Sequence, residues 1–482
     1  MRQILILLGS AGVAVWLGGH LANERYFWPS LALFVTLTAV LVRLLRLPLD
    51  LITVGLVVFG YLVGNRGFAQ LMPSPQVPLL PAEAALLVAG GWAFAACAFE
   101  RRLPWRSDAL HWCVLAWLAI GLARFPFDVR EHGFLAIRDF ATIYYTLFFF
   151  IARRLAERPE GRRYLSGCVL AGVVLLPPLY TLFELIPEFF YQHLRVRGVP
   201  LLLYKSDLVF TFTAGGLVLL FHWARGRARY WVWLYCTVLF LAVMSSNSRA
   251  SIVGLLLVVA LHALARRWAF PVLQGASGAL AAVALLALAT FTGNRWAEER
   301  ISAVSAHLGS IVNPVRAVSN LPDAGAYKWD NNRFRLVWWK NVALETWEKS
   351  PVVGLGFGAD LAAGFLQAYY PAESDEFNTR SPHNIALTAF GRMGLLGLAA
   401  WVALTLAIGR AAWHAFRHDP NPATWGLWSL VLVVLVSAHF GVVLEGPMGA
   451  VPFWVLLGLA SADQTEAETT TALLPQREPV SP

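Results

Sequence analysis

Apolar runs long enough to cross a bilayer recur along most of the chain, and one long polar stretch interrupts them. The runs fall at 3–20, 28–46, 50–67, 82–100, 109–124, 135–154, 164–186, 204–224, 230–246, 250–266, 271–292, 393–416, 424–444 and 448–461. A run of about 18 or more such residues spans a hydrocarbon core some 30 Å thick. The pattern therefore predicts an all-α polytopic membrane protein with 12–14 transmembrane helices, the last candidate being short. The expected organisation is a block of spans over 1–292, a large polar helical loop over 293–392, further spans over 393–461 and a disordered tail over 462–482. That tail is rich in Thr, Glu, Gln and Pro. Met1-Arg2 before an apolar run imitates a signal peptide, but no convincing small-residue cleavage site follows, so a retained first span is expected.

Composition agrees with this reading. Of 482 residues, 58% are hydrophobic and 14% are charged, against about 25% charged in an ordinary soluble domain. Basic residues set the orientation. Arg43 and Arg46, Arg101, Arg102 and Arg106, Arg153, Arg154, Arg162 and Arg163, Arg225, Arg227 and Arg229, Arg266 and Arg267, and Arg410 and Arg417 mark every second connection. These connections are expected in the cytoplasm, with both termini. The loop 293–392 then lies outside, in the periplasm of a Gram-negative cell. The net charge of +9 is mostly this topology signal and does not argue for nucleic-acid binding. Cys97, Cys113, Cys168 and Cys236 all fall in spans, and no Cys/His cluster has zinc spacing, so neither a disulfide framework nor a metal is expected. Gly354-Leu355-Gly356-Phe357-Gly358 lacks the Lys-Ser/Thr of a phosphate loop, and nucleotide binding is not expected.

The same topology collects unusual polar groups on the outer side. Arg195 and Arg197 occupy an external connection against the positive-inside trend, with Lys205 and Asp207 opening the next span. Asn247-Ser248-Arg249 lies in a hydroxyl-rich turn at the start of a helix. There, free N–H groups and an arginine would seat a phosphate; alternatively, Asn247 and Ser248 cap the helix while Arg249 reaches headgroups. Arg138-Asp139 is either a binding group or a local ion pair. Asp330-Asn331-Asn332-Arg333-Phe334-Arg335 opens an amphipathic helix whose Trp338, Trp339 and Trp347 are expected at the membrane interface rather than against sugar rings. Ser381-Pro382 is a helix-start signal that places His383 in a first helical turn, where the positive dipole end keeps the imidazole neutral, as a general base requires.

Several of these segments together resemble the O-antigen ligase and polymerase superfamily. They are Arg335 to Trp339, Ser350-Pro351-Val352-Val353-Gly354-Leu355-Gly356, Ser381-Pro382-His383-Asn384 with Gly394, the Asn247-Ser248-Arg249 turn and Arg197-Gly198. The resemblance covers roughly residues 190–440. After Arg197-Gly198 many members carry Pro-Asn, whereas this chain runs Val199-Pro200-Leu201-Leu202-Leu203-Tyr204-Lys205, which brings in Lys205 for part of that role. The resemblance implies a GT-C-like glycosyltransferase without cofactor or metal, facing the periplasm from the bacterial inner membrane. It would move a glycan from undecaprenyl diphosphate to a hydroxyl acceptor, with inversion. It implies His383 as catalytic base, Arg249, Arg197, Arg195 and Arg138 on the diphosphate, and Arg335, Lys205, Asn247 and Asn384 in support. The segments are closest to the ligase group, whose acceptor is lipid A–core. A carrier-linked repeat (polymerase) and a protein are the alternative acceptors. A transporter or flippase is the reading from another class, which would concentrate polar groups near the bilayer midplane.

Overall fold

The computed structural model describes residues 47–71, 79–100, 108–196, 198–292, 323–369 and 380–462, with isolated positions elsewhere. Among these residues the fold is an all-α polytopic membrane bundle. Eight helices are long and apolar enough to cross a bilayer. They are α1 (Leu49–Ala69), α2 (Pro81–Phe99), α3 (Ala109–His132), α4 (Phe134–Ala156), α5 (Pro159–Leu185), α6 (Ser206–Trp223), α9 (Ala269–Leu288) and α12 (Ile385–His418). Shorter apolar helices complete the bundle: α7 (Arg229–Met244), α8 (Arg249–Leu264), α13 (Pro422–Ala438) and α14 (Pro447–Ala460). Twelve expected spans thus coincide with helices, while those at 3–20 and 28–46 lie outside the described residues. A two-residue hairpin pairs β1 (Arg195–Val196) with β2 (Val199–Pro200).

The last two helices occupy the centre of the bundle. α13 packs against α6, α8 and α12, and α14 against α4 and α1. Without a hydrophobic driving force between helices in lipid, close contact depends on small residues. Gly215 on α6 and Gly426 on α13 supply them: an added Cβ would overlap Leu430 at the first and Leu219 at the second. Side chains of α14 from Gly449 to Ala460 are buried without exception.

Beyond the apolar spans, α10 (Asp323–Lys349) and the short α11 (Ala363–Tyr369), with the segment leading into α11, form a small core of Trp338, Val342, Leu361, Phe365 and Leu366. A backbone latch ties this unit to the bundle. α12 breaks at Gly394, whose φ of 63° and ψ of −154° lie in a region essentially reserved for glycine. The break leaves carbonyls and amides without intrahelical partners, and the segment after α10 takes them. Leu355 and Gly356 donate to the carbonyls of Gly391 and Arg392 at 2.7 and 3.1 Å. Leu395 and Leu396 donate to Pro351 and Val352 at 2.8 and 3.3 Å. Gly354, with φ 73°, lies so close that a Cβ would overlap the backbone of Arg392 and Gly394.

The latch continues onto α3 and α4. The Phe357 amide donates to Asp128 at 2.7 Å, and the Gly358 amide to Asp139 at 3.1 Å. Asp128 also accepts from Arg124 at 2.9 Å, and Asp139 pairs with the buried Arg392 at 2.9 Å. The glycine-rich run is therefore a structural clasp, and each glycine answers a close approach.

Gly394→Val should cost about 2–4 kcal/mol, from a forbidden backbone angle plus overlap with Val352. It should lower the melting temperature of the detergent-solubilised protein by several degrees. Gly409→Ala, where a Cβ meets open space, should leave it unchanged or raise it.

Candidate functional site

At one end of the bundle, His383 lies beside Trp338 of α10 and within electrostatic range of Arg335 of α10 and of Lys205, which precedes α6. Its loop is fixed from two sides. Trp339 donates its indole N–H to the Pro382 carbonyl at 2.7 Å, and the Trp338 ring lies 5.6 Å from the imidazole. The helix begins later than the Ser381-Pro382 signal suggests. Asn384 is the N-cap, its side chain accepting from the amides of Ala386 and Leu387 at 3.0 and 3.2 Å. His383 therefore precedes the cap, in a left-handed backbone conformation with φ 56°, rather than sitting in the first turn. Histidine tolerates this region better than most residues.

Its electrostatics consequently have a different cause from the helix dipole. Burial pushes the His383 pKa down to about 4, and the charges of Arg335 and Lys205 push the same way. The imidazole is neutral at physiological pH, as expected.

Arg335 projects from α10 and donates to the Phe440 carbonyl at 2.7 Å, which draws the loop after α13 under the site. Burial lowers its pKa, and Asp207 partly restores it. Lys205 arrives by way of a distortion in α1. Asn65 adopts φ 49°, and its side-chain oxygen accepts from the Lys205 amide at 3.0 Å, while Gly67 donates to the Leu203 carbonyl at 3.1 Å. This seats the segment 201–205 against the end of α1. Burial lowers the Lys205 pKa, with Arg66 and Arg335 adding to that and Asp207 and Glu445 opposing it.

Arg249 opens α8 and lies within electrostatic range of Arg335. Ser248, at the N-cap, makes no side-chain cap hydrogen bond; its hydroxyl meets Ser251 at 2.6 Å. Ser251 in turn meets Thr211, which bonds Ser437, so a buried hydroxyl chain anchors the turn to α6 and α13. Asn247 lies in the same turn, its carbonyl accepting from the Arg249 amide at 3.2 Å.

The remaining candidates are placed differently. Arg138 forms a hydrogen-bonded pair with Asp139, at 3.0–3.1 Å, and bears electrostatically on Arg392. That is the local ion pair the sequence allowed. Arg195 is exposed on β1, and Arg197 lies outside the described residues, as do the side chains of Asp330 to Arg333. Trp338 is buried in the α10–α11 core and not at the interface, whereas Trp347 is exposed.

Sequence reasoning overlooked Glu445. Its carboxylate accepts from Ser381 and from Thr388 (3.0 Å), so it secures both flanks of the His383 loop. Burial raises its pKa against the opposing effects of Ser381 and Arg392. An acidic residue beside Gly446-Pro447 in an otherwise apolar stretch was the available signal.

Fold and site together define a multi-pass membrane protein with a neutral histidine enclosed by cations at one end of its bundle. Residues 234–402 match the family model described as O-antigen ligase, which supports membership of the chain in the O-antigen ligase and polymerase superfamily. The matched stretch holds Arg249, Arg335, the latch and His383. The family points to glycosyltransferase-like ligase or polymerase activity, on polysaccharide and lipid substrates in general. No curated protein matches the chain.

Linkage gives a test of the His383 environment. In the unfolded chain the imidazole takes its proton near pH 6.5, and in the folded protein only near pH 4. Its contribution to stability is complete above pH 6.5 and is lost as pH falls towards 4. Arg335→Gln should raise the folded value and narrow that window, seen as a smaller loss of melting temperature between pH 6.5 and 4.

Proposed function

We propose that the protein is an O-antigen ligase. It transfers a glycan from undecaprenyl diphosphate to lipid A–core at the periplasmic face of the inner membrane, with both termini in the cytoplasm. The observation that carries this reading is the gathering of Arg335 and Lys205 about one neutral imidazole, with Arg249 within electrostatic range of Arg335. A lipid diphosphate is an activated leaving group whose developing charge needs fixed positive groups, and guanidinium groups supply these with bidentate geometry.

The acceptor hydroxyl attacks the anomeric carbon from the face opposite the diphosphate. The new C–O bond forms as the bond to the diphosphate oxygen breaks, and the hydroxyl proton passes to His383. Arg249, Arg335 and Lys205 take the charge left on the diphosphate, and Asn384 holds the turn that presents the imidazole. One displacement inverts the anomeric centre, and this chemistry runs without a metal.

A pKa near 4 makes His383 a weak base in the free site. Burial depresses it most, and a bound diphosphate offsets the further depression by the charges of Arg335 and Lys205. Donor binding therefore raises the basicity of the residue that must next accept a proton. The base is armed by the substrate.

Reconstitution with purified polyprenyl-diphosphate glycan tests the reading, comparing lipid A–core with a carrier-linked repeat as acceptor in the presence of EDTA. Transfer to lipid A–core should persist in EDTA, and His383→Ala should lower kcat by about 10²–10⁴-fold. Preference for the carrier-linked repeat would make the protein a polymerase, and near-wild-type turnover by His383→Ala would remove the base. The acid limb of kcat, reporting the donor complex, should lie at higher pH than that of kcat/KM for the donor, which reports the free enzyme near pH 4.

A further inference from the structure

α12 carries a second pair of unusual side chains, at the end of the bundle away from His383. The helix runs for 34 residues from Ile385, a rise of about 50 Å, so its last turn lies far from the reactive histidine. The end of the helix holds His414 and His418, both exposed. At this spacing two side chains are neighbours on one helix face. Their ring centroids are 4.8 Å apart and the rings are tilted by 43°. Two arginines of this region are engaged elsewhere. Arg417 lays its guanidinium over Trp413, 4.8 Å from the ring centroid. Arg267, from the loop between α8 and α9, covers Trp425 at 3.9 Å and donates to the Phe416 carbonyl at 3.3 Å. Asp419 is the C-cap; its carboxylate accepts from the Asn421 amide at 2.7 Å, and its carbonyl accepts from the Trp425 indole at 2.9 Å. Asp419 and the negative end of the helix dipole make this end of α12 favourable to a cation.

We propose that His414 and His418 form a chelate for a divalent transition-metal ion of the copper, nickel and zinc group. An unprotonated imidazole nitrogen is a good ligand for these ions, whereas magnesium and calcium select oxygen. A spacing of four on a helix lets two imidazoles reach one ion, as in helical zinc motifs of the His-x-x-x-His type. Among the described residues no third His, Cys, Asp or Glu completes a cluster here, so water fills the remaining coordination positions. Because both rings are exposed, the ion needs no passage through the protein and keeps much of its hydration. Two protein ligands, with Arg410 one turn before His414, hold the affinity below that of a closed four-ligand structural site. Divalent copper should bind most tightly, following the general order of affinities. The bound ion ties together the last two turns of α12, where a helix end otherwise frays. The site is independent of the glycan transfer assigned above: about 50 Å of helix separates it from His383, and it takes no part in that reaction.

Isothermal titration of the full-length protein in detergent, purified without a polyhistidine tag and stripped with EDTA, tests the site. One equivalent of Cu²⁺ should bind at about pH 7.5, where imidazole is largely unprotonated, with Zn²⁺ weaker and Mg²⁺ without effect. Electron paramagnetic resonance of the Cu²⁺ complex should show two imidazole nitrogens. His414→Gln and His418→Gln should each weaken binding at least about tenfold, because each leaves a single ligand. Both positions are exposed, so the melting temperature of the metal-free protein should not move. A second measurement needs no variant. Diethyl pyrocarbonate modification of the wild-type chain, mapped by mass spectrometry, should be blocked at His414 and His418 by Zn²⁺ and restored by EDTA. The proposal would be overturned by the absence of stoichiometric binding or by binding that survives substitution of both histidines. Full modification of both residues under saturating Zn²⁺ would overturn it equally.

Discussion

Backbone pairing between Pro351–Gly356 and the break in α12 is the constraint on which the rest of the site depends. A helix interrupted at Gly394 exposes amides and carbonyls that would be costly to leave bare near lipid, and the segment following α10 satisfies them. In doing so it fixes the position of α10 relative to α12. That one relation places Arg335, which comes from α10, against His383, which comes from the loop leading into α12. It also sets Trp338 and Trp339 beside the histidine loop. Asp128, Asp139 and Arg392 hold the far end of the same segment. The glycines contribute no chemistry of their own; they allow two backbones to meet where a Cβ would forbid it.

Within that frame the site is electrostatically strained in a useful direction. Arg335 and Lys205 are both pulled from water, both carry pKa values lowered by burial, and each lowers the other's ease of charging or that of His383. Asp207 and Glu445 offset part of this. Cations crowded into a region of reduced dielectric are costly alone and become favourable when an anion joins them. The arrangement resembles a socket held open by its own repulsion.

The spans were legible because their hydrophobic runs are long and their arginines alternate, and twelve of the runs became helices. Arg249, Arg335 and His383 were legible as individual residues because charge at the edge of an apolar run is conspicuous. Their detailed settings were not. Ser381-Pro382 resembles a helix start, yet Asn384 is the better cap, accepting two amides, and it moves the helix boundary past His383. Lys205 reaches the cluster only through the left-handed Asn65, more than a hundred positions earlier, which no local pattern predicts. Arg138 pairs with its neighbour Asp139, which Arg392 holds from the other side, and that third partner is invisible in the local sequence. Trp338 carries the amphipathic spacing of an interfacial aromatic, but the short α11 supplies a partner in Phe365 and buries it.

The central position of α13 and α14 bears on how the chain is made. A growing polypeptide enters the membrane from its N-terminus, so the helices that fill the middle of this bundle are among the last described to be inserted. The loop between them carries Glu445, which grips the histidine segment, and Phe440, which anchors Arg335. Until that loop is in place, His383 has lost one of its supports and the arginine has no carbonyl to hold it. A nascent or truncated chain therefore displays the parts of the site without its geometry. The histidine loop and Arg335 gain these contacts only once α13 and the loop that follows it are in place.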